Sequence, residues 1–232
     1  MKTSFLTKLL DFISPRLCVV CGSRLSPEES LLCVRCMLHL PLTGFEKSPA
    51  DNPLARLFWG QFPIERATAL YYYEPQSEVA EIIYSLKYRS RPEIGRSLGH
   101  IMARQLQASG FFDGIDALVP VPLAPRRRWQ RGYNQSEEIA RGIAELTALP
   151  IYNKVVRRTQ FDTSQTRLNP IERRDNVERA FQLADSELPA HRHLLLIDDI
   201  VTTGSTLTAC ARQLLKAKDV KLSVLAIGFA KY

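Results

Sequence analysis

Hydrophobic and polar positions along the chain follow two rhythms. Residues 67–73, 117–121, 151–156, 180–183, 194–197 and 222–229 form short, mostly apolar runs, and each predicts a strand. Between them the spacing is helical. Ser77 stands where an N-cap belongs, and Val79, Ile82, Ile83 and Leu86 share one face of a helix that reaches Tyr88. Residues 94–107 predict a second helix, and Asn134 with Glu137 makes a capping-box-like start to a third that runs to about Thr147. Leu207, Cys210, Ala211, Leu214 and Leu215 mark a fourth. Strands alternating with helices predict an α/β fold, a parallel sheet covered by helices on both faces.

Residues 41–63 break both rhythms. Gly44, Pro49, Pro53 and Gly60 give this stretch the look of an irregular linker, with Leu57, Phe58 and Trp59 as hydrophobic anchors. Ahead of it, Phe5, Leu6, Leu9, Leu10, Phe12 and Ile13 are interrupted by Lys8 and Asp11. That pattern predicts an amphipathic helix rather than an export signal, which needs a longer apolar core and a small-residue cleavage site. The expected organisation is an N-terminal module over residues 1–50, a linker over 51–62 and a complete α/β domain over 63–232.

Cysteine spacing explains how so small a module could hold together. Cys18 and Cys21 form one C-x-x-C knuckle and Cys33 and Cys36 a second, with Gly22, Ser26 and Pro27 in the loop between. Four thiolates so spaced close a tetrahedral site with no open position, the pattern of structural zinc. Two disulfides would need an oxidising compartment, against which the N-terminus argues. The fifth cysteine, Cys210, falls on the apolar face of its helix and is expected to be buried and inert. Among 232 residues, 45% hydrophobic, no apolar run is long enough to cross a bilayer, so a soluble, cytoplasmic protein is expected. His39, His100, His191 and His193 form no metal or triad signature and no serine occupies a nucleophile elbow, so triad hydrolysis is excluded.

The chemistry concentrates in LLLIDDIVTTGST, from Leu194 to Thr206. A buried parallel strand delivers Asp198 and Asp199 to its carboxyl end, where ligands of such sheets sit. Thr202, Thr203, Gly204, Ser205 and Thr206 then open a helix whose unpaired N–H groups and dipole favour a phosphate. Carboxylates beside a phosphate make sense only if they face hydroxyl donors or a divalent cation. Ribose 5-phosphate meets both demands. The segment closely resembles the phosphoribosyl pyrophosphate (PRPP) motif of type I phosphoribosyltransferases. By that resemblance Asp198 and Asp199 hold the ribose 2- and 3-hydroxyls, residues 202–206 cradle the 5-phosphate, and Mg2+ accompanies PRPP.

A second loop, VPVPLAPRRRWQRGYNQ, follows the strand at 117–121 and carries Arg126, Arg127, Arg128 and Arg131. In a parallel sheet it shares the mouth of Asp198, so Arg126 and Arg131 are candidates for the pyrophosphate; the alternative is a solvated basic turn. The four-cysteine ribbon, LKYRSRPEIGRSLG, the RGYNQ block, RRTQFDTSQTRLNPIERRDNV and the PRPP motif together resemble the ComF family (competence protein F, GntX-like) over nearly the whole chain. The resemblance implies a type I phosphoribosyltransferase-like sheet preceded by a zinc ribbon. Residues 157–177 would be the loop that closes over substrate, with Gln165, Thr166 and Arg167 as contacts. It also points to natural transformation, with a DNA-translocating helicase and single-stranded DNA as partners. A net charge of +7, with Trp129 and Tyr133 among the arginines, is compatible with nucleic acid. Three functions stay open: a phosphoribosyltransferase for a nucleobase or other nitrogen acceptor, a PRPP-binding adaptor in DNA uptake, and a single-stranded DNA binder.

Overall fold

The computed structural model describes residues 15–159, 180–184 and 192–230. The expected helix at residues 1–13, most of the 157–177 loop, and with it Gln165, Thr166 and Arg167, lie outside these.

Four parallel strands build the sheet: β1 (Arg66–Tyr73), β2 (Ala117–Pro120), β5 (His193–Val201) and β6 (Lys221–Ala230), in spatial order β1-β6-β5-β2. Alternate side chains of each strand serve two cores. Leu195, Ile197, Leu225 and Ile227 face α3 (Glu78–Tyr88), α4 (Pro92–Gln107) and α6 (Gln135–Thr147). Leu194, Leu196, Val224 and Ala226 face α2 (Pro53–Phe58), α7 (Ser205–Leu214) and an antiparallel hairpin of β3 (Val156–Arg158) and β4 (Phe181–Leu183). The helix layer is tight because Gly99 and Gly142 meet at its crossing, where a Cβ on Gly99 would lie 2.2 Å from the Ile139 carbonyl oxygen.

Three expectations need correcting. Within the supposed linker, Asn52 caps α2, its Oδ1 accepting from the amides of Leu54 and Ala55 at 3.0 Å, while Leu54, Ala55 and Phe58 are buried. Pro53 and Gly60, read as breakers, are the start and stop of this helix. Asn134 does stand at the N-cap of α6, but its side chain makes no cap bond; its Nδ2 donates to the Val121 carbonyl at 3.0 Å and ties the helix to the loop after β2. The strand expected at 151–156 is only a bridge from Ile151 to Leu118, because Asn153 turns away to donate to Glu137 Oε1 at 3.0 Å; β3 begins at Val156.

The cysteine module is not a detached bead. Cys18, Val19, Leu25, Leu31, Leu32, Cys36 and Leu40 belong to the same core as Val79, Ile82, Ile83 and Leu86 of α3. Its short helix α1 (Val34–His39) starts at Cys33. Among the described residues no helix is long and apolar enough to cross a membrane.

Candidate functional site

β5 runs further than its apolar core. It stays paired to β6 as far as Val201, whereas its pairing with β2 stops at Ile197. Beyond that point one edge of β5 is uncovered, and Asp198 and Asp199 sit within the strand on opposite faces rather than after its end. The step between long β5 and short β2 is what opens the mouth.

Asp198 is held by hydrogen bonds. Ser136 Oγ donates to its Oδ1 at 3.3 Å, and the Asp199 amide donates to the same oxygen at 2.9 Å. Burial, and after it the neighbouring Asp199 carboxylate, push the Asp198 carboxyl up to about 7 against those bonds and Lys87. Asp199 Oδ2 lies 2.9 Å from Lys87 Nζ, with both side chains largely buried.

Thr202 and Thr203 are exposed, and the chain then turns through Gly204, whose φ of 71° is left-handed. Asp198 and residues 200–207 line a pocket of about 30 Å³ at the start of α7. No side chain caps α7, so its first amides point into that pocket with no intrahelical partner. Thr203 Oγ1 donates to Ser205 Oγ at 3.1 Å, and Thr206 completes the rim. The sequence suggests that Gly204 lets the backbone approach a ligand; the structure gives a different reason. A Cβ there would lie 2.8 Å from Cε1 of Phe58 and 3.1 Å from Cδ2 of Leu57, so helix α2 is the support on which the turn rests. Thr208 Oγ1 donates to Gln61 Oε1 at 3.0 Å and fastens the same contact.

The arginine loop opens at the same end of the sheet, as parallel pairing of β2 and β5 requires. It folds into α5 (Pro125–Arg131), on which Arg126, Arg127 and Arg128 are exposed. Arg131 is turned aside: it donates to Gln135 Oε1 at 2.8 Å and stacks on Tyr88 with its guanidinium carbon 5.4 Å from the ring centre. Arg128 reaches Glu137 Oε2 at 3.6 Å.

Sequence reasoning missed Lys87, Ser136, Gln135 and Arg158. Gln135 is only 2% exposed, and its Nε2 finds no partner among the described residues. Arg158 stacks on Phe181, 5.1 Å from the ring centre, and burial followed by the nearby Arg127 lowers its pKa. Lys87, Gln135 and Arg158 fall inside segments that carry the family resemblance, which was the only available signal for them. Nothing in residue spacing shows that α3 would lie across the mouth. It does so because α3 leaves the carboxyl end of β1 and ends where Lys87 meets Asp199, Tyr88 meets Arg131 and the Leu86 carbonyl accepts from the Tyr133 hydroxyl.

In the cysteine module, the sulfur atoms of Cys18, Cys21, Cys33 and Cys36 all lie within 4.8 Å of one another. None of the cysteines is in a disulfide. The four can hold a metal ion.

The family model "Phosphoribosyl transferase domain" matches residues 95–230. Competence protein F of Haemophilus influenzae is 33% identical over 165 residues, 69% of this chain and 70% of that protein. The chain belongs to the ComF family. DNA utilization protein YhgH of Escherichia coli K12 is 30% identical to this ComF chain over 204 residues, 86% of this chain and 84% of that one. Among solved structures, glutamine PRPP amidotransferase from B. subtilis is 17% identical, covers 61% of this chain and 30% of its own, and has a TM-score of 0.39, too loose a likeness to carry an argument. This ComF-family chain is thus a phosphoribosyltransferase-like protein, and its domain implies a ribose-phosphate ligand.

Proposed function

We propose that the protein binds PRPP or ribose 5-phosphate together with Mg2+, in the cytoplasm, and serves the uptake of DNA. The carrying observation is the pocket of about 30 Å³ shared by Asp198 and the uncapped start of α7. Its amides and hydroxyls suit a phosphate monoester, while Asp198, which lines the pocket, and its neighbour Asp199 suit ribose hydroxyls. Arg126, with Arg131 swung from Gln135, would take the pyrophosphate on the β2 side. The role in DNA uptake is supported by the names of the relatives, "Competence protein F" and "DNA utilization protein". A helicase and single-stranded DNA are the partners that role would bring.

Mg2+, when bound, neutralises the leaving pyrophosphate. The chemistry such a site allows is transfer. A nitrogen lone pair bonds to ribose C1 while the C1–O electron pair departs on pyrophosphate, and the acceptor's proton passes to water. The chain's residues need only position the ribose and place negative charge near it; no side-chain nucleophile takes part. The N-terminal module holds structural zinc in this reading. A tetrahedral zinc with bonds of about 2.3 Å sets sulfurs about 3.8 Å apart, and Cys21 and Cys33 stand at 3.7 Å. Amides of Cys33 and Cys36 donate to sulfurs of Cys18 and Cys33, contacts that suit thiolate ligands.

The test is calorimetric titration of zinc-loaded protein with PRPP and Mg2+, beside the Asp198→Asn, Asp199→Asn double variant. Micromolar binding that vanishes in the variant supports the reading; no binding by the intact protein overturns it. Release of pyrophosphate on adding an acceptor would mark an enzyme, and ligand binding without turnover an adaptor.

A further inference from the structure

The last turn of α3 grips the mouth at three successive residues. The Leu86 carbonyl accepts from the Tyr133 hydroxyl, the Lys87 ammonium lies 2.9 Å from Asp199 Oδ2, and the Tyr88 ring carries the Arg131 guanidinium. One helix end thus touches both elements of the ribose-phosphate site, the carboxylates of β5 and the arginine loop. We infer that α3 couples this site to the cysteine module: the metal-bound module fixes the helix, and Lys87 at its end is the positioning residue that sets Asp199. The inference rests on the ribose-phosphate reading given above and adds how that site is controlled.

Packing supplies the link. Val79, Ile82, Ile83 and Leu86 of α3 share one core with Cys18 and Cys36, two of the four clustered cysteines. All six are at most 5% exposed, and an interior packed this closely passes a displacement on rather than absorbing it. Outside that core the module still lies along the helix. Val20 lines a groove with Ala80, Ile83 and Tyr84, and Leu17, Cys18 and Val19 line a second with Glu81 and Arg89. The four-sulfur cluster is therefore seated on the helix that carries Lys87.

Backbone strain says what holds α3 where it is. Gln76 before the helix and Ser90 after it both have left-handed φ, 63° and 50°. Residues with side chains keep that conformation only where the surroundings impose it, so the helix is held by its packing and not by its connections. The module supplies part of that packing. At the far end the contact is charged: Lys87 and Asp199 are both largely buried, and Asp198 is a second carboxylate beside them. Coulomb energy in so poorly screened a place changes steeply with distance, so a small shift of the ammonium alters the acidic pair that ribose hydroxyls would meet.

Coupling between two sites is reciprocal, so it can be read at the metal. The zinc affinity of the full-length protein is measured against a competing chromogenic chelator, with and without saturating ribose 5-phosphate, whose own binding is followed by calorimetry. Ribose 5-phosphate should tighten zinc about fivefold or more, the low end of couplings between sites. Lys87→Met keeps an apolar stem and loses the charge. It should hold zinc as the parent does without ligand and show no tightening when saturated, whereas a lysine that served stability alone would leave the tightening intact. Val20→Asp sets a carboxylate beside Glu81 on the half-buried wall between module and helix, and touches neither a sulfur nor the ribose site. It should reduce the tightening and weaken ribose 5-phosphate by the same factor, and it decides alone if Lys87→Met cannot be saturated. If ribose 5-phosphate binds but leaves zinc affinity unchanged, or if the tightening survives these variants, the coupling is overturned and the ribose-phosphate reading stands. If ribose 5-phosphate fails to bind the parent, both fall.

Discussion

Substituting Gly204 by alanine tests how the turn at the start of α7 is built, because two separate costs meet at that atom. The φ of 71° is left-handed, which costs an L-residue about 1–2 kcal/mol. The new methyl would also lie 2.8 Å from Cε1 of Phe58, a fully buried ring in the core under α7. Overpacking of that kind costs about 1–3 kcal/mol. Together the two predict a loss of about 2–5 kcal/mol, which urea unfolding with the metal site kept loaded would read as a lower midpoint at unchanged slope. Phe58→Leu separates the costs. On its own it destabilises, by leaving a cavity, but in the Gly204→Ala background it removes the ring that the methyl strikes. The double variant should therefore be more stable than the sum of the single losses by about 1 kcal/mol or more, the steric share of the cost. Additive losses, or a Gly204→Ala protein within about 0.5 kcal/mol of the parent, would refute the claim that α2 supports the turn. Ribose 5-phosphate affinity should fall with Gly204→Ala and recover in part in the double variant, since the start of α7 is what the methyl displaces.

Other outcomes are expected. Replacing Cys18 or Cys33 by serine should release zinc and destabilise the N-terminal module; unchanged metal content by atomic absorption would sink the four-thiolate site. Replacing Arg126 and Arg131 by alanine should weaken PRPP more than ribose 5-phosphate in calorimetry, and equal loss for both would place these residues elsewhere. Asp198 titrates in the folded protein near 7, above its unfolded value of about 3.9. Its protonated form therefore favours folding, fully below pH 4, and that contribution is lost as pH rises through 7. Relative to the parent, Asp198→Asn should gain on the order of 4 kcal/mol between pH 4 and pH 8 in ligand-free urea unfolding; a constant difference across that range would refute it.

Local order was legible where the chain signals it locally. The parallel strands announced themselves as apolar runs, and Ser77 does cap α3, its Oγ accepting from the Ala80 amide at 3.2 Å. The turn from Thr202 to Thr206 was recognisable by residue type and order alone, and it does lead into α7. What escaped were contacts set by tertiary packing. The Asn52-Pro53 start of α2 was visible in principle, but Pro53 reads equally as a breaker until Leu54, Ala55 and Phe58 find a core. Asn134 and Glu137 had the spacing of a capping box, yet Glu137 is buried against Arg141, 2.8 Å away, and Asn153, so neither side chain caps the helix. Lys87 reaches Asp199 only because α3 crosses the sheet ends, and no periodicity in eleven residues encodes the direction in which a helix will lie.

The placement of β1 has a consequence for anyone cutting this protein into pieces. The family match begins at residue 95, after β1 and α3, yet β1 is the edge strand that covers β6. A fragment started at residue 95 would keep Asp198 and the turn at the start of α7 but lose Lys87, the cation paired with Asp199. It would also bare one whole side of β6, ten residues long and buried along nearly all its length. An unguarded apolar edge of that length recruits other strands. The first seventy or so residues therefore serve the remainder as a guard against self-association, and such a fragment should leave solution as aggregates.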